Sequence, residues 1–239
     1  MSRETELASA FERLESRVAA ACSSGGRRRD EVVLLPVTKF FPVSDVEILY
    51  RLGAREFGES REQEATAKVA ALASATDDHA VRWHMIGRLQ RNKARAVAGW
   101  AYAIHSVDNA KLVRALDKAS GAALAAGERA VAPGVLLQVS LDDDPDRGGV
   151  SAADLMELAD QVANAEHLEL TGLMAIPPVG AEPGRSFATL QELQSRVLQS
   201  HPGATQLSAG MSGDLEIAIE HGSTCVRVGT ALLGTRPIN

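Results

Sequence analysis

Cysteine is scarce: Cys22 and Cys225 are the only two. They are too few and too far apart for a zinc site, a redox pair or a disulfide scaffold, so a reducing compartment is expected. Basic charge is in deficit, with 25 Lys and Arg against 31 Asp and Glu for a net charge of −6 and a pI near 5.6. A protein whose main work is gripping nucleic acid usually presents a basic face, so no nucleic-acid partner is expected. No run approaches the roughly 18 apolar residues of a membrane span. The start, Met1-Ser2-Arg3-Glu4-Thr5-Glu6, lacks the basic-then-apolar order of a signal peptide. A cytoplasmic protein with no membrane partner is expected. The first strand-like run is followed by no Gly-x-Gly-x-x-Gly turn, which removes the main reason to expect a dinucleotide-binding sheet.

What remains is ordinary globular usage, 45% hydrophobic and 23% charged over 239 residues, enough for one large domain or two small ones. Leu7, Phe11, Leu14 and Val18 recur at helical spacing and predict an N-terminal helix ended by Ser23-Ser24-Gly25-Gly26. The run from Val32 to Lys39 is apolar and rich in β-branched residues, as suits a strand buried on both faces. Strands are expected near 32–38, 54–57, 81–86, 102–106, 134–140, 168–174, 204–207 and 224–228. Helical patterns lie near 44–52, 60–74, 90–98, 109–126, 151–164, 184–199 and 212–220, with a last helix from about 230. Asp77-Asp78-His79, Ala126-Gly127-Glu128 and 179–184 read as surface loops. Eight strand-plus-helix units of about 30 residues imply a parallel sheet. Without a linker or composition break, one (β/α)8 barrel with an extra N-terminal helix is expected over 1–239.

Three features then acquire positions. Val33, Leu35, Val37 and Lys39 share one face of the first strand, so an inward face places Lys39 at the C-terminal rim where such barrels carry their sites. An amine desolvated there would be primed to attack an aldehyde, whereas a solvated lysine at a strand end is the plain alternative. After the seventh strand comes Leu207-Ser208-Ala209-Gly210-Met211-Ser212-Gly213-Asp214, and after the eighth Val228-Gly229-Thr230-Ala231. Both loops lead into helices after the two strands where barrels usually hold phosphate; ordinary helix caps are the alternative for each alone. Arg227 shares a face with Cys225, and an inward arginine needs either a carboxylate or a ligand atom. The ligand that uses an aldehyde-trapping lysine, a phosphate loop and a positioned arginine is pyridoxal 5′-phosphate (PLP).

Seven segments, in order, carry a resemblance to a known family: Val37-Thr38-Lys39, Phe57-Gly58-Glu59, the stretch from Trp83 to Lys93, Ile104-His105-Ser106-Val107-Asp108, Gly172-Leu173-Met174-Ala175-Ile176-Pro177, Leu207 to Asp214, and Val226 to Ala231. Together the sequence resembles the pyridoxal-phosphate homeostasis proteins over nearly its whole length. The resemblance implies a barrel like the N-terminal domain of alanine racemase. It also implies an internal aldimine at Lys39, a phosphate site at Ser208, Gly229 and Thr230 next to Gly210 and Met211, and Arg227 at the pyridine nitrogen. A permanent cation there opposes ring protonation and weakens the cofactor as an electron sink. Two positions depart from the family pattern. Ser60 stands where asparagine is common, and Arg147 replaces a lysine of an acidic loop, which an arginine cannot replace in Schiff-base chemistry.

Trp83 and His84 read as packed strand residues, and Arg88, Arg91, Lys93 and Arg95 as a solvated basic cluster able to attract an anion. Three functions follow: a non-catalytic PLP handler that passes cofactor to apo-enzymes, a PLP-dependent amino-acid racemase, or a Schiff-base aldolase. A racemase of this type takes its opposing base, a tyrosine, from a further domain. Here Asn239 ends the chain, and the only tyrosines are Tyr50 and Tyr102, on a predicted helix and mid-strand. The handler is therefore the expected function, as a monomer with no metal and no catalytic turnover.

Overall fold

The computed structural model describes residues 2–75, 81–142, 144 and 148–235; the loop expected at 77–79 and Arg147 lie outside them. After helix α1 (Arg3–Ser24), strands and helices alternate: β1 (Val33–Pro36), α2 (Val43–Arg51), β2 (Glu56–Glu59), α3 (Glu62–Ala75), β3 (Arg82–Met85), α4 (Ala94–Trp100) and β4 (Ala101–Val107). They continue with α5 (Ala110–Ala125), β5 (Gly134–Gln138), α6 (Leu155–Ala163), β6 (Glu169–Met174), α7 (Pro183–Ser200), β7 (Gln206–Ser208), α8 (Leu215–Glu220), β8 (Cys225–Val228) and α9 (Thr230–Leu233).

The eight strands form one parallel sheet in the order β1-β8-β7-β6-β5-β4-β3-β2. Its two ends meet at a Val37–Gly58 bridge, where the Thr38 N–H donates to Gly58 O at 3.0 Å. The expected barrel with its extra N-terminal helix is thus present. β6 and β7 approach so closely at Gly172 that a Cβ there would lie 1.8 Å from Gln206 O, which only glycine permits.

Local chemistry moves several boundaries. β1 proper ends at Pro36, Val37 and Thr38 still pair with the neighbouring strands, and the chain then turns at Thr38 to Phe41, where the Phe41 N–H donates to Thr38 O at 3.1 Å. The helix expected near 90–98 opens as a 3-10 turn over Arg91–Lys93. The one expected from 151 starts at Leu155, because the Ser151 hydroxyl bonds both the Asp154 carboxylate (2.8 Å) and the Asp154 N–H (3.1 Å) in a local turn.

Helix α1 forms for the reasons its sequence suggests: Ser2 Oγ accepts from Thr5 N–H, and Leu7, Leu14, Val18 and Cys22 form its buried stripe. That stripe packs in one apolar cluster with Leu215 and Ile219 of α8, Val226 and Val228 of β8, and Leu232 and Leu233 of α9. Arg3 pairs with Asp45 of α2 at 2.6 Å, and Arg17 with Glu216 of α8 at 2.7 Å. The added helix therefore backs the outer wall behind β8, α8 and α9. A second cluster fills the layer between β4–β7 and helices α4–α7. Inside the barrel an apolar cluster of Ala103, Leu136 and Met174 lies with Leu35, fully buried and in register with Arg227. Buried polar side chains of β3, β4, β7 and β8 (His84, His105, Ser208 and Arg227) complete the interior.

Candidate functional site

The turn after β1 carries Lys39, half-buried, with its Nζ 5.9 Å from the centre of the Phe40 ring. Phe40 has a φ of 69°, the only positive φ of a non-glycine among the described residues. Such a backbone costs roughly 1–3 kcal/mol and persists only where its surroundings hold it. The hold is visible. Glu64 Oε1 of α3 accepts from the Phe40 N–H at 2.7 Å. Lys68, 6% exposed, donates to Thr38 O (2.7 Å), Glu59 Oε1 (2.8 Å) and Glu64 Oε1 (2.7 Å). Thr38 Oγ1 also donates to Glu59 Oε1 at 2.6 Å. One buried cation and two carboxylates thus grip the residues on both sides of Lys39. Burial pushes the Glu59 carboxyl above its ordinary value against the pull of Lys68 and Thr38, and its second oxygen is buried without a hydrogen-bond partner among the described residues.

On the other side of the rim, the Gly210 carbonyl accepts from the Arg227 N–H at 3.0 Å, fastening the loop after β7 to β8. Gly210 has φ 89°, and a Cβ on it would lie 2.6 Å from that of Ala218, so only glycine lets the loop pass this close to α8. Met211 is exposed, and its N–H donates to Asp214 Oδ1 at 2.6 Å. Gly229 and Thr230 open α9, where the Leu232 and Leu233 N–H groups close on Gly229 O at 3.0 and 2.8 Å. Ser212 Oγ accepts from the Ala231 N–H at 3.3 Å, joining the two loops. The loops expected to converge do so.

Arg227 is 5% exposed. Its guanidinium donates to Ser208 Oγ at 2.7 Å and to Ala175 O at 3.0 Å, with no carboxylate at ion-pair distance among the described residues. Burial pulls its pKa down and pushes the Cys225 thiol on the same strand face up to about 12. Ser208 is fully buried, its hydroxyl held by Arg227 and, at 3.0 Å, by His105 Nδ1. Ser208 therefore meets Arg227 inside the barrel, while Ser212 supplies the hydroxyl at the α9 terminus.

Set against PLP, the donors fit. A guanidinium has five N–H groups, so Arg227 keeps donors for an acceptor beyond its two protein bonds. The two loops supply backbone N–H groups and small residues for a phosphate, and Lys39 supplies an amine. Two elements were not singled out from sequence as site residues: the Glu59, Glu64 and Lys68 grip, and His105. The i,i+4 spacing of Glu64 and Lys68 was the available signal for the first. Of the expected basic cluster, Arg88, Arg91 and Lys93, without Arg95, line an open groove with Ser60 and Asp108 at the C-terminal ends of β2, β3 and β4, where Lys93 pairs with Glu62 at 3.1 Å.

A closed barrel with a lysine at the β1 rim and an arginine on β8 defines a class, the alanine racemase N-terminal-type barrel. The family described as "Alanine racemase, N-terminal domain" matches residues 26–237. Alanine racemase from Corynebacterium glutamicum shares the fold at TM-score 0.68 and 16% identity, over 98% of this chain and 62% of that one. Within that class the chain belongs to the family of pyridoxal phosphate homeostasis proteins. It is 53% identical to the protein of that name from Mycobacterium tuberculosis, over 98% of this chain and 94% of the relative. It is also 42% identical to that from Corynebacterium glutamicum, over 94% and 100%. PipY of Synechococcus elongatus, solved with PLP bound, is 35% identical with TM-score 0.76, over 91% of this chain and all of that one.

Proposed function

We propose that the chain binds PLP as a Schiff base on Lys39 and serves intracellular PLP homeostasis and delivery. The observation that carries this reading is Arg227: a buried cation, bonded to a hydroxyl and a carbonyl but to no described carboxylate, on the same rim as the Lys39 amine. A buried charge without a counter-charge is a cost to the free protein, and a ligand acceptor at that point offsets it. Gly210, Met211, Gly229 and Thr230, with Ser212, receive the phosphate, and Ser208 holds Arg227 at the pyridine end. When bound, the group would supply an aldehyde carbon that the Lys39 amine would hold in a reversible bond, with water as the leaving group. Relatives named for this role, and the PLP in PipY, support the reading.

Holding without turnover follows from what surrounds the lysine. Arg227 opposes ring protonation, and the two tyrosines are engaged elsewhere. Tyr50 packs against Arg55 at 4.2 Å and Tyr102 against Arg82 at 4.6 Å, at the strand N-terminal ends, opposite the rim. A racemase acting through either is disfavoured. The protein is taken to work as one barrel over 1–239, as a cytoplasmic monomer with apo-enzymes as transient clients; none of its described helices is long and apolar enough to cross a membrane. The test is delivery: the PLP-loaded chain is mixed with an apo-enzyme and activation is compared with the same amount of free PLP. Activation that persists when a trap for free PLP is added supports delivery; activation abolished by the trap refutes it.

A further inference from the structure

An unbroken line of hydrogen-bonding groups crosses the barrel interior. Arg227 donates to Ser208 Oγ at 2.7 Å, and Ser208 Oγ lies 3.0 Å from His105 Nδ1. His105 Nε2 lies 2.9 Å from His84 Nδ1, and His84 Nε2 lies 3.0 Å from Glu56 Oε2. The line runs from β8 through β7, β4 and β3 to β2, and its four members from Arg227 to His84 are buried. It surfaces at the strand N-terminal ends, where Glu56 Oε1 also accepts from Arg82 at 3.2 Å, beside the Tyr102 ring.

The two ends set the direction of the line. A guanidinium only donates and a carboxylate only accepts, whereas a neutral imidazole accepts at one nitrogen and donates from the other. Ser208 Oγ accepts from Arg227, and in the order that runs from Arg227 to Glu56 its O–H goes to His105 Nδ1. His105 then donates from Nε2 to His84 Nδ1, and His84 donates from Nε2 to Glu56. Every group is satisfied, both histidines are neutral, and each carries its hydrogen on Nε2. The opposite order requires His84 to donate from both nitrogens, placing a second cation in an interior that already holds Arg227. It also turns the Ser208 O–H toward the Cys225 thiol, a weak acceptor. Burial, with the charge of Arg227, holds the His105 pKa well below its ordinary value, which favours its neutral form.

We infer that Glu56, acting through His84, His105 and Ser208, is a positioning residue that orients the Arg227 guanidinium from the opposite face of the barrel. The cofactor end of this inference rests on the PLP reading above; the hydrogen-bond direction does not.

The test uses the full chain with 15N-labelled histidine and no ligand. At neutral pH, His84 and His105 are both expected as neutral Nε2–H tautomers. An imidazolium at His84, or an Nδ1–H at His105, overturns the inference. This spectrum decides the direction even where a variant fails to fold. In Glu56→Gln the side-chain amide is able to donate to His84 Nε2, so both histidine hydrogens are expected to move to Nδ1 and PLP affinity to fall about tenfold. Reversed histidines with PLP affinity within about twofold of the unmodified chain overturn the positioning role. Failure of the unmodified chain to bind any PLP overturns the proposed function and the positioning role together, and the spectrum still reports the direction. The two failures are thereby distinguished.

Discussion

The Lys68 ammonium lies 2.7 Å from the carbonyl oxygen of Thr38, the residue immediately before Lys39. The same nitrogen binds Glu59 and Glu64, and Glu64 also receives the Phe40 N–H immediately after Lys39. The turn that carries Lys39 is therefore fastened from beneath by one buried ion cluster. Removing the cation alone leaves two carboxylates facing each other. Lys68→Met is expected to lower unfolding free energy by about 3–5 kcal/mol, read by urea denaturation. The double variant Lys68→Met with Glu59→Gln is expected to recover part of that loss. A single variant as stable as the parent contradicts this account of the turn.

Arg227 should behave in the opposite sense. Because the guanidinium is buried without a described carboxylate partner, Arg227→Leu relieves a desolvated charge while losing two hydrogen bonds. Stability of the ligand-free protein is expected to change by no more than about 2 kcal/mol. The PLP dissociation constant is expected to rise at least about tenfold. Equal affinity in a folded variant removes Arg227 from the site.

The loop after β7 is sensitive at one atom. Adding a methyl at Gly210 meets Ala218 Cβ at 2.6 Å with φ at 89°, a strain of about 1–3 kcal/mol. Gly210→Ala is expected to displace the loop and shrink the preference for PLP over pyridoxal, measured by titration with both. An unchanged preference places the phosphate elsewhere.

Acid should loosen the contact of α1 with α8. The hydrogen bond from Arg17 holds the Glu216 carboxyl below its ordinary value. At Glu56 burial acts upward, but the hydrogen bond from His84 and the charge and hydrogen bond of Arg82 hold it down. A depressed carboxyl contributes stability that is present above the ordinary carboxylate range and lost as pH falls through the depressed value. Glu59, raised by burial, acts in reverse: its contribution declines as pH rises from the ordinary range through the raised value. The Arg17–Glu216 pair is half-exposed, so its share is small. Arg17→Met is expected to destabilise at neutral pH and to match the parent once Glu216 is protonated, in urea midpoints taken down to about pH 3. A pH-independent difference contradicts this assignment.

The barrel could be read ahead of the structure because parallel strands buried on both faces appear as short apolar runs. Val32 to Pro36 and Val135 to Leu137 are such runs. Lys39, Arg227 and the Gly229-Thr230 terminus were readable for the same reason: each ends or lies on a recognisable strand. The polar interior was not. His84, His105 and Ser208 sit on three strands, 21 and 103 residues apart along the chain, and only closure of the barrel decides which inward side chains meet. Lys68 was hidden differently. With Glu64 it has the spacing of a solvated helix pair, and nothing local says that α3 sets it against the Thr38 turn.

Covalent capture tests the central claim most directly. The purified chain is mixed with PLP, reduced with borohydride, digested and mapped by mass spectrometry. The account predicts one reduced pyridoxyl adduct, on Lys39, absent from Lys39→Ala; no adduct, or one on Lys68 or another lysine in place of Lys39, would contradict it.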